Sequence, residues 1–203
     1  MFFKKRTIFI ETDLESIVDA CILHDVRAQR ELFKQFFSFG KSLCLRYASS
    51  QEEAEDILNE GFLKVFQNLE KYDKHQPFKA WFRTILVNTA ISSYRKNNKY
   101  NQNVGFEEIT EIGFDESIID AISADEILKI VQQLPENYRV VFVMYVIDGY
   151  SHKEISDILE MNEATVRSNF ARARVKLQQL IKISHPYLFP TDWDTNKLKY
   201  NEN

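Results

Sequence analysis

Apolar residues recur at helical spacing along nearly the whole chain, and few stretches alternate with the period of two that a strand requires. The run from Ala54 to Leu69 is the clearest. Ala54, Ile57, Leu58, Phe62, Val65, Phe66 and Leu69 keep i, i+3, i+4 spacing, with Gly61 on the same face. A chain patterned this way buries its apolar surface by packing helix on helix, so the expected fold class is all-α. Its 203 residues, 44% of them hydrophobic, suffice for one or two small domains, each with a modest core.

The stretch YSHKEISDILEMNEATVRSNFARARVKL, residues 150–177, reads as a short helix, a tight turn and a long basic helix. Ser151 with Glu154 three residues on forms a capping box, and Ile155, Ile158 and Leu159 mark one apolar face. Asn162 supplies a second N-cap, behind which Val166, Phe170, Ala173 and Leu177 repeat. The opposite face carries Thr165, Arg167, Ser168, Arg172 and Arg174. Residues 163–182 hold five Lys/Arg against one acid, Glu163, a surplus suited to phosphate contact. A short first helix and tight turn are the geometry of a helix-turn-helix that lays its second helix in the major groove. The plainer alternative is an αα-hairpin with a solvated basic face. A preceding helix is expected to open with Pro135 at its first position, to turn Tyr138, Val141, Phe142, Tyr145 and Val146 inward, and to end at Gly149.

Upstream, helices are expected over 14–23, over 26–47, along the Ala54–Leu69 stripe, and from about Phe78 to Asn97. The third carries acids and amides on its outer face, from Glu52 through Asp56, Asn59 and Glu60. The fourth turns Phe78, Phe82, Ile85 and Leu86 inward with Trp81 beside them. Asn88, Ser92, Arg95, Lys96 and Lys99 form its outward stripe. Aromatic and amide groups beside a charged track suit unstacked single-stranded DNA; a lysine-rich solvated face is the competing reading.

Charge placement says more than the net charge of −4. Residues 104–126 contain eight acids and no Lys or Arg, whereas residues 64–99 contain eight Lys/Arg and two acids. Periodicity fails over 98–124, apart from a helical turn expected around ESIIDAI, and marks a linker; Pro186 and Pro190 mark a tail over 184–203. Cys21 and Cys44 have no C-x-x-C spacing and read as buried structural thiols. The five glycines fit no phosphate-cradling motif, and His24, His75, His152 and His185 lack zinc-ligand spacing, so the expectation is no cofactor, no metal and no catalytic residue. Neither a membrane span nor a signal peptide is read, which places the chain in the cytoplasm.

Three segments in this order resemble the extracytoplasmic-function (ECF) sigma factors of bacterial RNA polymerase. EEAEDILNEGFLKVF resembles their core-binding helix, FKAWFRTILVNTAISSYRK their −10-reading helix, and LPENYRVVFVMYVIDGYSHKEISDILEMNEATVRSNFARARVKL their −35-reading domain. The resemblance implies a region 2-like domain over 1–99, a linker over 100–124, a region 4-like helix-turn-helix domain over 125–183 and a tail over 184–203. It implies core polymerase as partner, through the β′ coiled coil and the β subunit, together with promoter DNA and an anti-sigma factor. Position by position, Asp56, Asn59 and Glu60 match core-binding positions, with Asn59 in place of a more usual Gln. The loop from Tyr72 to Phe78 matches the one that captures a flipped base. With Lys79, Trp81, Asn88, Arg95 and Lys96 it makes up the −10 set, and Ser92 stands where Asp is usual. Thr165, Arg167, Ser168, Ala171, Arg172 and Arg174 make up the −35 set. Glu160 replaces the usual turn glycine, and since a non-Gly residue at positive φ is strained, the turn is expected to take another form. The competing reading is an autonomous helix-turn-helix regulator with a sensor or dimerisation domain at its N-terminus. Such a domain has no need of the basic-aromatic helix at 78–99.

Overall fold

The computed structural model describes residues 8–98 and 122–188, and every regular element among them is helical. The chain divides into two compact units, Met1–Asn103 and Val104–Asn203. Residues 1–7, 99–121 and 189–203 lie outside the described residues, and with them Lys99, most of the acidic stretch, nearly all of the ESIIDAI turn and most of the tail.

In the first unit α1 spans Leu14–Ile22, α2 Val26–Tyr47, α3 Gln51–Asn68 and α4 Phe78–Asn98. Each of the first three starts where a short polar side chain takes up an orphan amide. Asp13 accepts from Glu15 N–H, Asp25 from Arg27 and Ala28, and Ser50 from Glu53. A 3₁₀ turn, Leu69–Lys71, ends α3. Leu32, Cys44, Ala54, Leu58, Val65, Phe82 and Leu86 are at most 1% exposed and form the centre of the core. Aromatic rings tie the helices across it: Phe33 to Phe62 at 4.5 Å, Phe62 to Phe82 at 4.8 Å, and Phe36 to Phe78 at 4.7 Å. Gly61 lets α4 approach closely, since a β-carbon there would collide with Leu86.

In the second unit α5 spans Ala124–Gln132, α6 Glu136–Phe142, α7 His152–Leu159 and α8 Glu163–Ser184. Capping boxes start α5 (Ser123 with Glu126) and α7 (Ser151 with Glu154), and Asn162 caps α8 through Ala164 N–H. Val141, Val143, Met144, Ile155, Val166 and Ala173 are fully buried between them. A 3₁₀ turn at Pro186–Leu188 follows α8.

Three expectations need correcting here. The helix before the helix-turn-helix is not one helix: α6 starts at Glu136 with Pro135 as N-cap, and Val143–Ile147 form a π-helical turn before Gly149 at φ 77°. Its i→i+5 hydrogen bonding takes up an extra residue and rotates the inward face. Val141 is buried as expected, but Val140, Val143 and Met144 are buried with it, while Tyr138 and Phe142 are half-buried and Tyr145 and Val146 are 38% and 53% exposed. Glu160 adopts φ 55°, ψ 41°, so the turn keeps the left-handed form without glycine. In α8, Asn169 is buried at 4% exposure, and Phe170 is only half-buried.

Candidate protein and DNA interfaces

The acidic face of α3 is the first of three surfaces. Asp56, Asn59 and Glu60 are exposed, as expected for positions off the apolar stripe. Leu63, at i+3 and i+4 from the last two, is 56% exposed and joins them on the same face. The sequence reading missed it, although an apolar residue standing outside the stripe was the available signal. Lys64 links this face to α4: it pairs with Glu60 at 2.7 Å and donates to the buried Thr89 hydroxyl at 3.2 Å.

The second surface is the loop before α4 and the helix itself. Tyr72 Oη donates to Gln76 O at 2.5 Å, Asp73 accepts from His75 N–H at 2.9 Å, and Gln76 N–H donates to Asp73 O at 3.0 Å. Lys74 pairs with Asp19 of α1 at 2.5 Å, and that hydrogen bond raises the lysine's pKa. The loop therefore has a fixed shape, with His75 and Gln76 exposed at its tip. The Tyr72 ring lies 5.3 Å from Phe78 and 5.1 Å from Trp81, and partial burial pushes its phenol pKa up. Phe78 is 2% exposed and packs beneath the loop. Trp81 is half-buried, and Lys79 reaches over the Phe39 ring at 4.5 Å. Farther along α4, Asn88, Ser92 and Lys96 are exposed and Arg95 is half-buried, giving the outward polar track.

The third surface belongs to α8. Thr165, Arg167 and Arg174 are exposed; Ser168, Ala171 and Arg172 are half-buried. Arg172 Nε is enclosed and has no hydrogen-bond partner among the described residues. Arg167 is held instead: its Nε and Nη2 donate to Glu163 Oε1 at 3.2 and 2.6 Å. Beneath them His152 stacks nearly parallel on Tyr145, centroids 4.4 Å apart, and Phe170 packs against both at 5.5 and 4.6 Å. Burial, then the nearby Arg167 charge, lowers the His152 pKa. These three rings fasten α8 to the turn before α7, a role that the simple stripe assignment for Phe170 and Tyr145 concealed.

Among the described residues no group of three or more His, Cys, Asp or Glu is placed to hold a metal ion. None of their helices is long and apolar enough to cross a membrane. Cys21 and Cys44 are buried free thiols.

Comparison with known proteins agrees with this arrangement. Residues 32–100 match the family model of sigma-70 region 2, and residues 124–177 match that of sigma-70 region 4. An acidic face and a basic-aromatic helix in one unit, with a helix-turn-helix in the other, are thus the two halves of an RNA polymerase sigma factor. The ECF RNA polymerase sigma factor SigW of Bacillus subtilis (strain 168) is 30% identical over 152 residues, covering 69% of this chain and 81% of SigW. SigM of the same organism, also an ECF sigma factor, is 26% identical over 154 residues, 74% of this chain and 93% of that protein. Among solved structures, the sigma factor RpoE in complex with the anti-sigma factor NepR from Bartonella quintana is 20% identical, with a TM-score of 0.44, covering 78% of this chain and 99% of that one. This chain belongs to the ECF family of RNA polymerase sigma factors. The autonomous regulator is not favoured, because the N-terminal unit matches a sigma region and not a sensor.

Proposed function

We propose that the three surfaces divide the work of this sigma factor as follows. Asp56, Asn59, Glu60 and Leu63 dock the core polymerase, the acids meeting a basic β′ coiled coil and Leu63 filling an apolar gap at its centre. The loop from Tyr72, with Lys79, Trp81, Asn88, Arg95 and Lys96, takes the −10 element, where aromatic rings stack on unpaired bases and the cations follow the backbone. Thr165, Arg167, Ser168, Ala171, Arg172 and Arg174 meet the −35 element in the major groove, beside the polymerase β subunit. In this division residues 1–99 form the core- and −10-binding domain and residues 125–183 the −35-binding domain, joined by the acidic linker over 100–124. The sigma factor works in the cytoplasm, has no chemistry of its own, and is held in check by an anti-sigma factor.

The observation that carries this reading is the pairing of opposite chemistries on one unit. An acidic face on α3 would be repelled by phosphates, while α4 presents Lys79, Arg95 and Lys96. A domain with one partner has no use for both. Asp56→Lys with Glu60→Lys tests it: the double variant should stay folded, because both side chains are exposed, yet should no longer co-purify with core polymerase. Undiminished co-purification would remove α3 from the core interface.

A further inference from the structure

Glu163 is the single acid among residues 163–182, on a helix whose cationic face is otherwise suited to phosphate. It lies in the first turn of α8, where the helix dipole favours a carboxylate, and Asn162, not Glu163, caps the helix. Its Oε1 takes both Nε and Nη2 of Arg167, one helical turn on, at 3.2 and 2.6 Å. The pair is open to solvent, with side chains 65% and 35% exposed, so it adds little to stability. Its effect on Arg167 is larger. Two of the five N–H donors of the guanidinium are occupied, and the rest lie in a plane that the carboxylate orients. The pair gives a long flexible cation a preferred direction and offsets part of its charge.

We infer that Glu163 is a specificity-determining residue that acts through Arg167, aiming its guanidinium at a base edge in the −35 element and lowering affinity for DNA that lacks that base. The inference rests on the proposed −35 role of α8. An unrestrained arginine at the groove rim reaches any phosphate and adds affinity for every sequence alike. Held by Glu163, it offers its remaining donors in one direction, and bidentate contact with guanine O6 and N7 is what such a fork fits. The carboxylate also adds a negative charge facing the phosphate backbone, a penalty that only a satisfied base contact offsets. Glu163 is therefore a positioning residue, and its signature is a change in discrimination with little change in fold.

The test measures holoenzyme binding to promoter duplexes substituted base by base across the upstream element, at fixed salt, for five chains: wild type, Glu163→Gln, Glu163→Asp, Arg167→Ala and the Glu163→Gln/Arg167→Ala double variant. Glu163→Gln should bind mismatched duplexes more tightly and lose discrimination at one position, on the order of fivefold, the low end of what a bidentate pair supplies. In the Arg167→Ala background the same substitution should change discrimination no further, while Glu163→Asp, too short to span the turn, should behave like Glu163→Gln. An unchanged profile for Glu163→Gln in an active holoenzyme would overturn the inference and leave the sigma assignment standing. So would a loss that persists without Arg167, because the carboxylate would then read a base directly, as glutamate can from cytosine N4. If all five chains bind every duplex equally, α8 does not read the upstream element, and the proposed −35 role falls with the inference.

Discussion

The guanidinium of Arg139 lies buried beneath α6 and donates from Nη1 to two main-chain oxygens, Leu134 O at 2.8 Å and Gln132 O at 3.0 Å. At 2% exposure it is the largest fully buried side chain of the described residues. Gln132 is the last residue of α5, where the helix dipole is negative and the final acceptors have no helical donor, and Leu134 lies in the turn just beyond it. Arg139 thus caps one helix from the next and sets the angle at which α6 approaches. Arg139→Met keeps most of the apolar stem and removes the donors. It should destabilise the second unit by about 1–3 kcal/mol, the cost of buried acceptors left unmade. Urea denaturation followed at a residue of α6 checks this, and an unshifted midpoint would show that other groups satisfy both carbonyls.

The left-handed turns invite the opposite change. His24 at φ 59° and Glu160 at φ 55° each close a helix in a conformation that costs a non-glycine residue about 1–2 kcal/mol. Glu160→Gly should raise stability by roughly 0.5–1 kcal/mol once the greater freedom of the unfolded chain is set against it. The melting temperature reads the sign directly. A fall would mean that the Glu160 side chain makes a contact worth more than the strain.

These two cases also show how far the sequence could be read. Elements with short polar caps and clean spacing were legible: α2 spans 26–47 as expected, and the Ser151–Glu154 box and the Asn162 cap stand where the residue pattern put them. The exposed positions on α3, α4 and α8 were legible too, since charge opposite an apolar stripe places those side chains on the outer face. The π turn was not. From Val140 to Ile147 every residue is apolar or aromatic, so no period could show which side turns inward. Arg139 and Asn169 are buried although nothing in the residue pattern singles them out, because burial of a polar side chain depends on carbonyls and cavities brought together by tertiary packing.

The aromatic stack under α8 has a pH signature. His152 Nε2 is enclosed without a hydrogen-bond partner among the described residues, and burial followed by the Arg167 charge holds the ring's pKa below its ordinary 6.5. The folded state therefore favours the neutral ring, and the unfolded chain binds the proton more readily. Stability from this group is complete above pH 6.5 and declines as pH falls from there toward the lowered folded value. NMR titration of the His152 ring should give a midpoint under 6.5, and Arg167→Ala should move it upward. A midpoint at or above that value would contradict the burial argument.

Both thiols should be inert in the folded protein. Burial pushes Cys21, with help from the Asp25 charge, and Cys44 up to about 12, leaving almost no thiolate at neutral pH. A thiol reagent such as a disulfide dye should label neither until denaturant is added, and then both. Rapid labelling of either in native buffer would show that the first unit opens far more readily than its packing implies.

The division of labour among the three faces is tested most directly by run-off transcription. Purified core polymerase with this chain is supplied with sheared genomic DNA from its host, and the 5′ ends of the transcripts are sequenced. The expected result is a small set of start sites sharing two spaced upstream elements. They should be lost on omission of the chain and with Asp56→Lys/Glu60→Lys, and changed in upstream preference by Arg167→Ala. Transcripts that start at the same sites without the chain, or that persist unchanged with the charge-reversed α3, would contradict it.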